Sequence, residues 1–189
     1  SCESILRGEK SMARLNVSDL SVRSDSNCLQ NVAFDFVVGG SIASVESPRM
    51  IRQMRRLGAR VHPWLTPGGS QFITSYALEW ASANPCQKQF SGLISHIATK
   101  DGLIIAPCSQ NFLSKWQMGI LDNPMLALAQ SYLGMQKPVF VLLTAHDSLI
   151  SSPFTYSVPK NLQNSLDNNN IYFIKPRLEE AKTKAPDPK

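Results

Sequence analysis

The apolar run Phe34-Asp-Phe-Val-Val38 stops abruptly at Gly39-Gly40-Ser41, and a helical pattern rich in arginine follows within a few residues. A run of that length suits a strand, and a strand that passes to a helix through a glycine turn reads as the first half of a β-α-β unit. The turn has the layout of an anion cradle, because glycine lets the backbone approach a ligand and the helix start offers unpaired N–H groups. It is not the dinucleotide fingerprint: a further glycine would have to stand three residues beyond Gly40, where Ala43 is found. Two readings satisfy Gly39, Gly40 and Ser41 at this level, an ordinary strand-to-helix turn and a seat for a mononucleotide phosphate.

The rest of the chain repeats the alternation. Short apolar runs at 60–65, 103–106 and 139–143, and a weaker one at 171–174, are separated by helical patterns at 47–57, 70–83, 111–121, 124–133 and 158–166. Strands spaced by helices imply right-handed crossovers and a parallel sheet covered on both faces, which is a three-layer, Rossmann-like (flavodoxin-like) α/β fold. Ser47-Pro48 reads as a helix cap followed by proline at the first helical position, with Met50, Ile51, Met54 and Leu57 as the apolar stripe and Gly58 as the stop. The run Val139-Phe-Val-Leu-Leu143 is apolar throughout, as a doubly covered strand should be. Pro63 disturbs the second strand, since it lacks a ladder donor, and predicts that this strand is short or bulged.

The length of 189 residues suits one domain, expected at 32–175, with a serine-rich extension at 1–31 that is partly ordered at most and a basic tail at 176–189. The cysteines, Cys2, Cys28, Cys86 and Cys108, show no metal-ligand spacing, so no metal is expected and reduced thiols in a cytoplasm are the simplest reading. No apolar run reaches the length of a membrane span, and membrane is not an expected partner. The net charge of +5 gathers at Arg49, Arg52, Arg55, Arg56 and Arg60 and in the tail with Lys175, Arg177, Lys182, Lys184 and Lys189. Solvated faces and attraction of an anionic ligand both account for it, whereas nucleic acid is not expected because no recognition motif accompanies the charge.

Ligands of open parallel sheets bind beyond the carboxyl ends of the strands. Three segments at those ends, Gly39-Gly-Ser-Ile42, Thr66-Pro-Gly-Gly-Ser70 and Ala106-Pro-Cys-Ser-Gln-Asn111, combine turn residues with small hydroxyls and are predicted to meet on one rim. Together with His96-Ile97 and the continuation through Asp122-Asn123, they resemble the flavin-containing cysteine decarboxylase family, over residues 33–143 and in the right order. The resemblance implies FMN as cofactor. It implies a binding set of Gly39, Gly40, Ser41, Ile42, Ser47, Thr66, Ser70, Ala106, Pro107, Cys108, Ser109 and Asn111, with the phosphate near Ser41 and Ser47 and the flavin at Thr66 and Ser109. It also implies His96 as the catalytic residue, a small-molecule or peptide substrate, and a homo-oligomer, trimer or dodecamer, with flavin between subunits. Read from its own chemistry, Cys108 is a small buried filler, and the alternative to chemistry for His96 is a hydrogen bond at a subunit contact.

The chain departs from the family pattern in two places. Where the complete decarboxylase has Pro-Ala-Met-Asn after the fourth strand, this chain has Leu143-Thr-Ala-His146, and no cysteine follows Cys108. Three functions remain open at this level: an oxidative decarboxylase of a cysteine-containing substrate, an FMN-dependent oxidoreductase of a pterin-like or other planar substrate, and a non-catalytic flavin-binding regulatory subunit.

Overall fold

The computed structural model describes residues 20–89, 97–144, 170–174, 177–179 and 182–184; the expected helix at 158–166 and both His96 and His146 lie outside them. Strands β1 (Ala33–Val38), β2 (Arg60–Leu65), β3 (Gly102–Cys108), β4 (Val139–Leu143) and β5 (Ile171–Ile174) form one sheet in the order β2-β1-β3-β4-β5, every neighbouring pair parallel. That is the flavodoxin-like order. Helices α1 (Ser47–Arg56), α2 (Ser75–Ser82), α3 (Gln110–Gln117) and α4 (Pro124–Gly134) connect the strands, and β6 (Arg177–Glu179) pairs antiparallel with β7 (Lys182–Lys184) as a separate ribbon.

Strand alternation sorts the core into two faces. Phe34, Phe36, Val38, Val61, Leu65, Ala106 and Leu142 pack with Ile51 of α1 and with Leu78 and Ala81 of α2. Val37, Leu103, Ile105, Val139 and Val141 point the other way, against Phe112, Leu113 and Trp116 of α3 and the buried stripe of α4. The three layers follow from the period of two within each strand.

Several expectations change at residue level. Pro63 does not shorten or bulge β2, which stays in register with β1 from Arg60 to Leu65. The reason is its position: β2 is the sheet edge, and the outward direction in which Pro63 lacks a hydrogen is one that no strand occupies. Gln87 fills that side instead, donating to Pro63 O at 2.9 Å and accepting from Leu65 N at 2.9 Å. The helix expected at 70–83 breaks into a 3₁₀ turn at Gly69–Gln71 and α2, because Thr74 accepts from Ala77 N at 3.3 Å and starts a helix of its own. The one expected at 111–121 ends at Gln117, and Gly119, with φ of +69°, turns the chain away. Ser47 is not a cap. A 3₁₀ turn at Ile42–Glu46, capped by Ser41, runs directly into α1.

The arginines of α1 are not simply a solvated face. Arg55 donates to Ala81 O at 2.8 Å and Leu20 O at 2.7 Å, Arg52 donates to Ser21 O at 3.3 Å and lies 4.3 Å from the Trp80 ring centroid, and Arg56 approaches Asp25 at 4.0 Å. The end of α1 is closed by the same segment: Asp25 N and Ser26 N donate to Arg56 O, and Leu29 N donates to Leu57 O. Helix carbonyls that would otherwise face water are thereby satisfied.

Asp35 is the one charged residue inside the apolar run of β1, and it is buried. Its carboxylate accepts from Trp64 Nε1 at 2.9 Å and from the Tyr132 hydroxyl at 2.7 Å, so one side chain ties β1 to the edge strand and to α4. Burial, and next the Asp35 charge, push the Tyr132 phenol upward, so it remains a donor. Among the described residues no helix is long and apolar enough to cross a membrane. Asp35→Ala strands two buried donors and is expected to lower stability by about 2–4 kcal/mol. Combining it with Trp64→Phe and Tyr132→Phe should return part of the hydrogen-bonding loss, and equilibrium denaturant unfolding of the three proteins checks this.

Candidate functional site

The three segments singled out from the sequence converge on one rim. Gly39 N donates to Pro107 O at 3.0 Å, joining the turn after β1 to the loop after β3. A Cβ on Gly39 would overlap that carbonyl oxygen, and one on Gly40 would lie 2.9 Å from Gly68 Cα, so glycine is required where the turns after β1 and β2 touch backbone to backbone. A Cβ on Gly69 would stand 2.7 Å from Val38 O. Thr66 completes the junction: its N–H and Oγ1 both donate to Val38 O, at 3.1 and 2.9 Å, and Oγ1 accepts from Gly69 N at 3.0 Å.

The predicted residues divide by what their side chains do. Ser41 is partly exposed, and its Oγ accepts from Ala43 N at 3.3 Å. Ser109 caps α3 by accepting from Phe112 N at 3.3 Å, with Asn111 exposed on the first turn of that helix. The N–H groups of Gly40, Ser41 and Ser109 make no hydrogen bond with any described residue, which leaves donors pointing from two loops of one cradle. Ile42 is 71% exposed beside them. Other members are committed to holding the loops. The buried Ser47 Oγ donates to Ala106 O at 3.1 Å, and Ser70 Oγ donates to Pro67 O at 2.7 Å within its own turn.

Ala106 and Pro107, joined by a cis peptide, are buried at the end of β3. Cys108 is wholly buried with Phe112, Leu113 and Trp116 in the apolar cluster. Burial pushes its thiol upward, so it stays protonated and acts as a filler on the core side, as its own chemistry suggested.

Sequence reasoning missed Ser44. Its buried Oγ donates to Gly39 O at 2.7 Å and Ser41 O at 2.6 Å and so fixes the curvature of the first turn. The signal was available: a serine three residues after Ser41 is placed for the local side-chain to backbone bond that serine favours. Asp122 and Asn123, part of the family-like stretch, hold the chain locally, Asp122 paired with Lys115 and Asn123 Oδ1 accepting from Met125 N and Leu126 N at 3.1 Å. His62 lies opposite Asp35 in the register of β1 and β2, and burial, followed by Lys100, lowers its pKa, which favours the neutral ring.

Contrasting glycines test the cradle. Gly39→Ala is expected to destabilise by about 1–3 kcal/mol, because backbone must move to admit a methyl group. Gly134→Ala, whose new Cβ meets nothing within 4 Å at the end of α4, should be neutral or stabilise by up to about 1 kcal/mol. Denaturant midpoints of the two variants decide between a required and an incidental glycine.

With this geometry in hand, comparison with known proteins gives a consistent family. The Flavoprotein family model matches residues 22–188. The coenzyme A biosynthesis bifunctional protein CoaBC of Methanocaldococcus jannaschii is 30% identical over 162 residues, 84% of this chain and 39% of that protein. The chain thus spans well under half the length of such curated relatives. Among solved structures, the FMN-dependent cysteine decarboxylase SpaF superposes with a TM-score of 0.70 at 20% identity, covering 84% of this chain and 91% of that one. The peptidyl-cysteine decarboxylase EpiD gives 0.67 at 20% identity, covering 82% and 93%. These similarities confirm the fold, and the family match over nearly the whole chain places this protein in the flavoprotein family.

Proposed function

We propose that this protein binds FMN at the rim formed by residues 39–42, 66–70 and 106–111 and decarboxylates a cysteine-containing substrate. The observation that carries the reading is the backbone contact of the three loops, where glycines stand at positions a Cβ would fill and N–H donors have no partner among the described residues. The residues fit the cofactor. Gly40 N, Ser41 N and the Ser41 hydroxyl suit a phosphate, and the partly exposed Gly68 and Ser109 leave backbone accessible to a planar ring. Ser44, Ser47 and Thr66 hold the loops at the required spacing. When bound, FMN would supply a two-electron acceptor for a thiol-bearing substrate whose carboxylate then leaves as carbon dioxide.

His96 is the proposed proton-transfer residue, because imidazole can donate or accept near neutral pH. The names of the relatives support a cysteine-bearing substrate, either small molecule or peptide. A homo-oligomer, trimer or larger, in the cytoplasm is part of the same proposal. Met118, Ile120 and Leu121 offer an exposed apolar segment for it, while the nearby Trp116 packs inside its own chain.

A preparation that is yellow, or becomes so with FMN, and releases carbon dioxide from a cysteine-terminated peptide or phosphopantothenoylcysteine supports the reading. Colourless protein that refuses FMN overturns it, and bound flavin with no carbon dioxide from either substrate overturns the proposed reaction. His96→Ala should keep the flavin and lose turnover by about 10²–10⁴-fold; unchanged turnover removes His96 from the chemistry.

A further inference from the structure

Thr144, the first residue beyond β4, carries a buried hydroxyl with no hydrogen-bond partner among the described residues. Its N–H donates to Cys108 O at 3.2 Å, which holds the residue against the end of β3, next to Ser109. Buried polar atoms in native folds are nearly always paired, so an orphan marks a place where something else supplies the partner. The other orphaned atoms among the described residues are Arg52 Nη1, Arg56 Nε and Trp116 Nε1. Those belong to helices, on α1 and within the core beneath α3, whereas Thr144 stands at the carboxyl end of a central strand.

That location selects the partner. β3 and β4 are parallel neighbours, and the loop after β3 already touches Gly39 of the proposed phosphate turn. Thr144 therefore belongs to the same rim as the three recognised segments, contributed by a fourth strand. A hydroxyl can donate and accept at once. It suits the edge of a planar heterocycle on which N–H and C=O groups alternate, while the phosphate has the N–H groups of Gly40 and Ser41 to itself. We infer that the Thr144 hydroxyl is a ring-edge contact for flavin bound at this rim. The inference rests on the proposed function and adds to it a positioning residue that none of the three loops contains.

The test uses the full chain, stripped of flavin, with Thr144→Val removing only the hydroxyl at nearly constant shape and Thr144→Ser retaining it. Affinities for FMN and for riboflavin, which lacks the phosphate, are measured by flavin fluorescence, and thermal midpoints of the flavin-free proteins are measured alongside. Thr144→Val should weaken both ligands by the same factor, about 3- to 10-fold, with Thr144→Ser restoring wild-type affinity and no fall in the flavin-free midpoint. Unchanged affinities overturn the inference and assign the orphan to a water molecule instead. A loss confined to FMN also overturns it by placing the hydroxyl at the phosphate, and a fall in the flavin-free midpoint does so by making its role structural. Wild-type protein that binds neither flavin overturns the proposed function itself, so the two failures are distinguishable.

Discussion

The rim depends on how closely three stretches of backbone can approach. Val38 O takes both hydrogens that Thr66 offers, Gly40 lies against Gly68, and Gly39 donates to Pro107 O. Side chains larger than hydrogen at the contact positions would separate the loops and open the cradle. The same approach brings N–H groups that no described residue pairs, from the turns after two different strands, to one rim, an arrangement more directional than isolated donors at a single helix start. Serine hydroxyls then act as internal struts, with Ser44 bracing the turn from within and Ser47 bracing α1 against Ala106.

Below the rim, polar groups fix the frame. Asp35 accepts from residues on β2 and α4, while Asp101 accepts from Ala33 N at 2.7 Å and aligns the start of β1 with the approach to β3. The arginines of α1 perform a similar task outside the sheet by gripping the backbone of residues 20–21. Positive charge that looked available for an anionic ligand is in large part spent on the chain itself. Arg49 remains exposed on the first turn of α1 and is not among those engaged.

Much of this was legible from residue order. The continuous apolar run at 139–143 coincides with β4, because a strand covered on both faces has few ways to be anything else, and the weaker run at 171–174 coincides with β5 at the sheet edge. The meeting of the three glycine and hydroxyl segments followed from parallel topology, which places every strand's carboxyl end on one side. What stayed hidden depended on tertiary partners. Nothing local announced that Thr74 would restart a helix, that Arg55 would find Leu20, or that Asp35 would be satisfied by a tryptophan and a tyrosine so distant in the chain. Ser47 illustrates the difference: its neighbour Pro48 correctly marks a helix start, but the 3₁₀ turn before it displaced the cap to Ser41.

The placement of Pro63 has a consequence for the crowded cell. An incoming extended chain seeking to add itself along β2 would face a ring nitrogen with no hydrogen to share, and backbone groups beside it already occupied by Gln87. Templated stacking of one molecule upon another is thereby disfavoured on that flank, around Pro63, whatever the opposite edge at β5 allows.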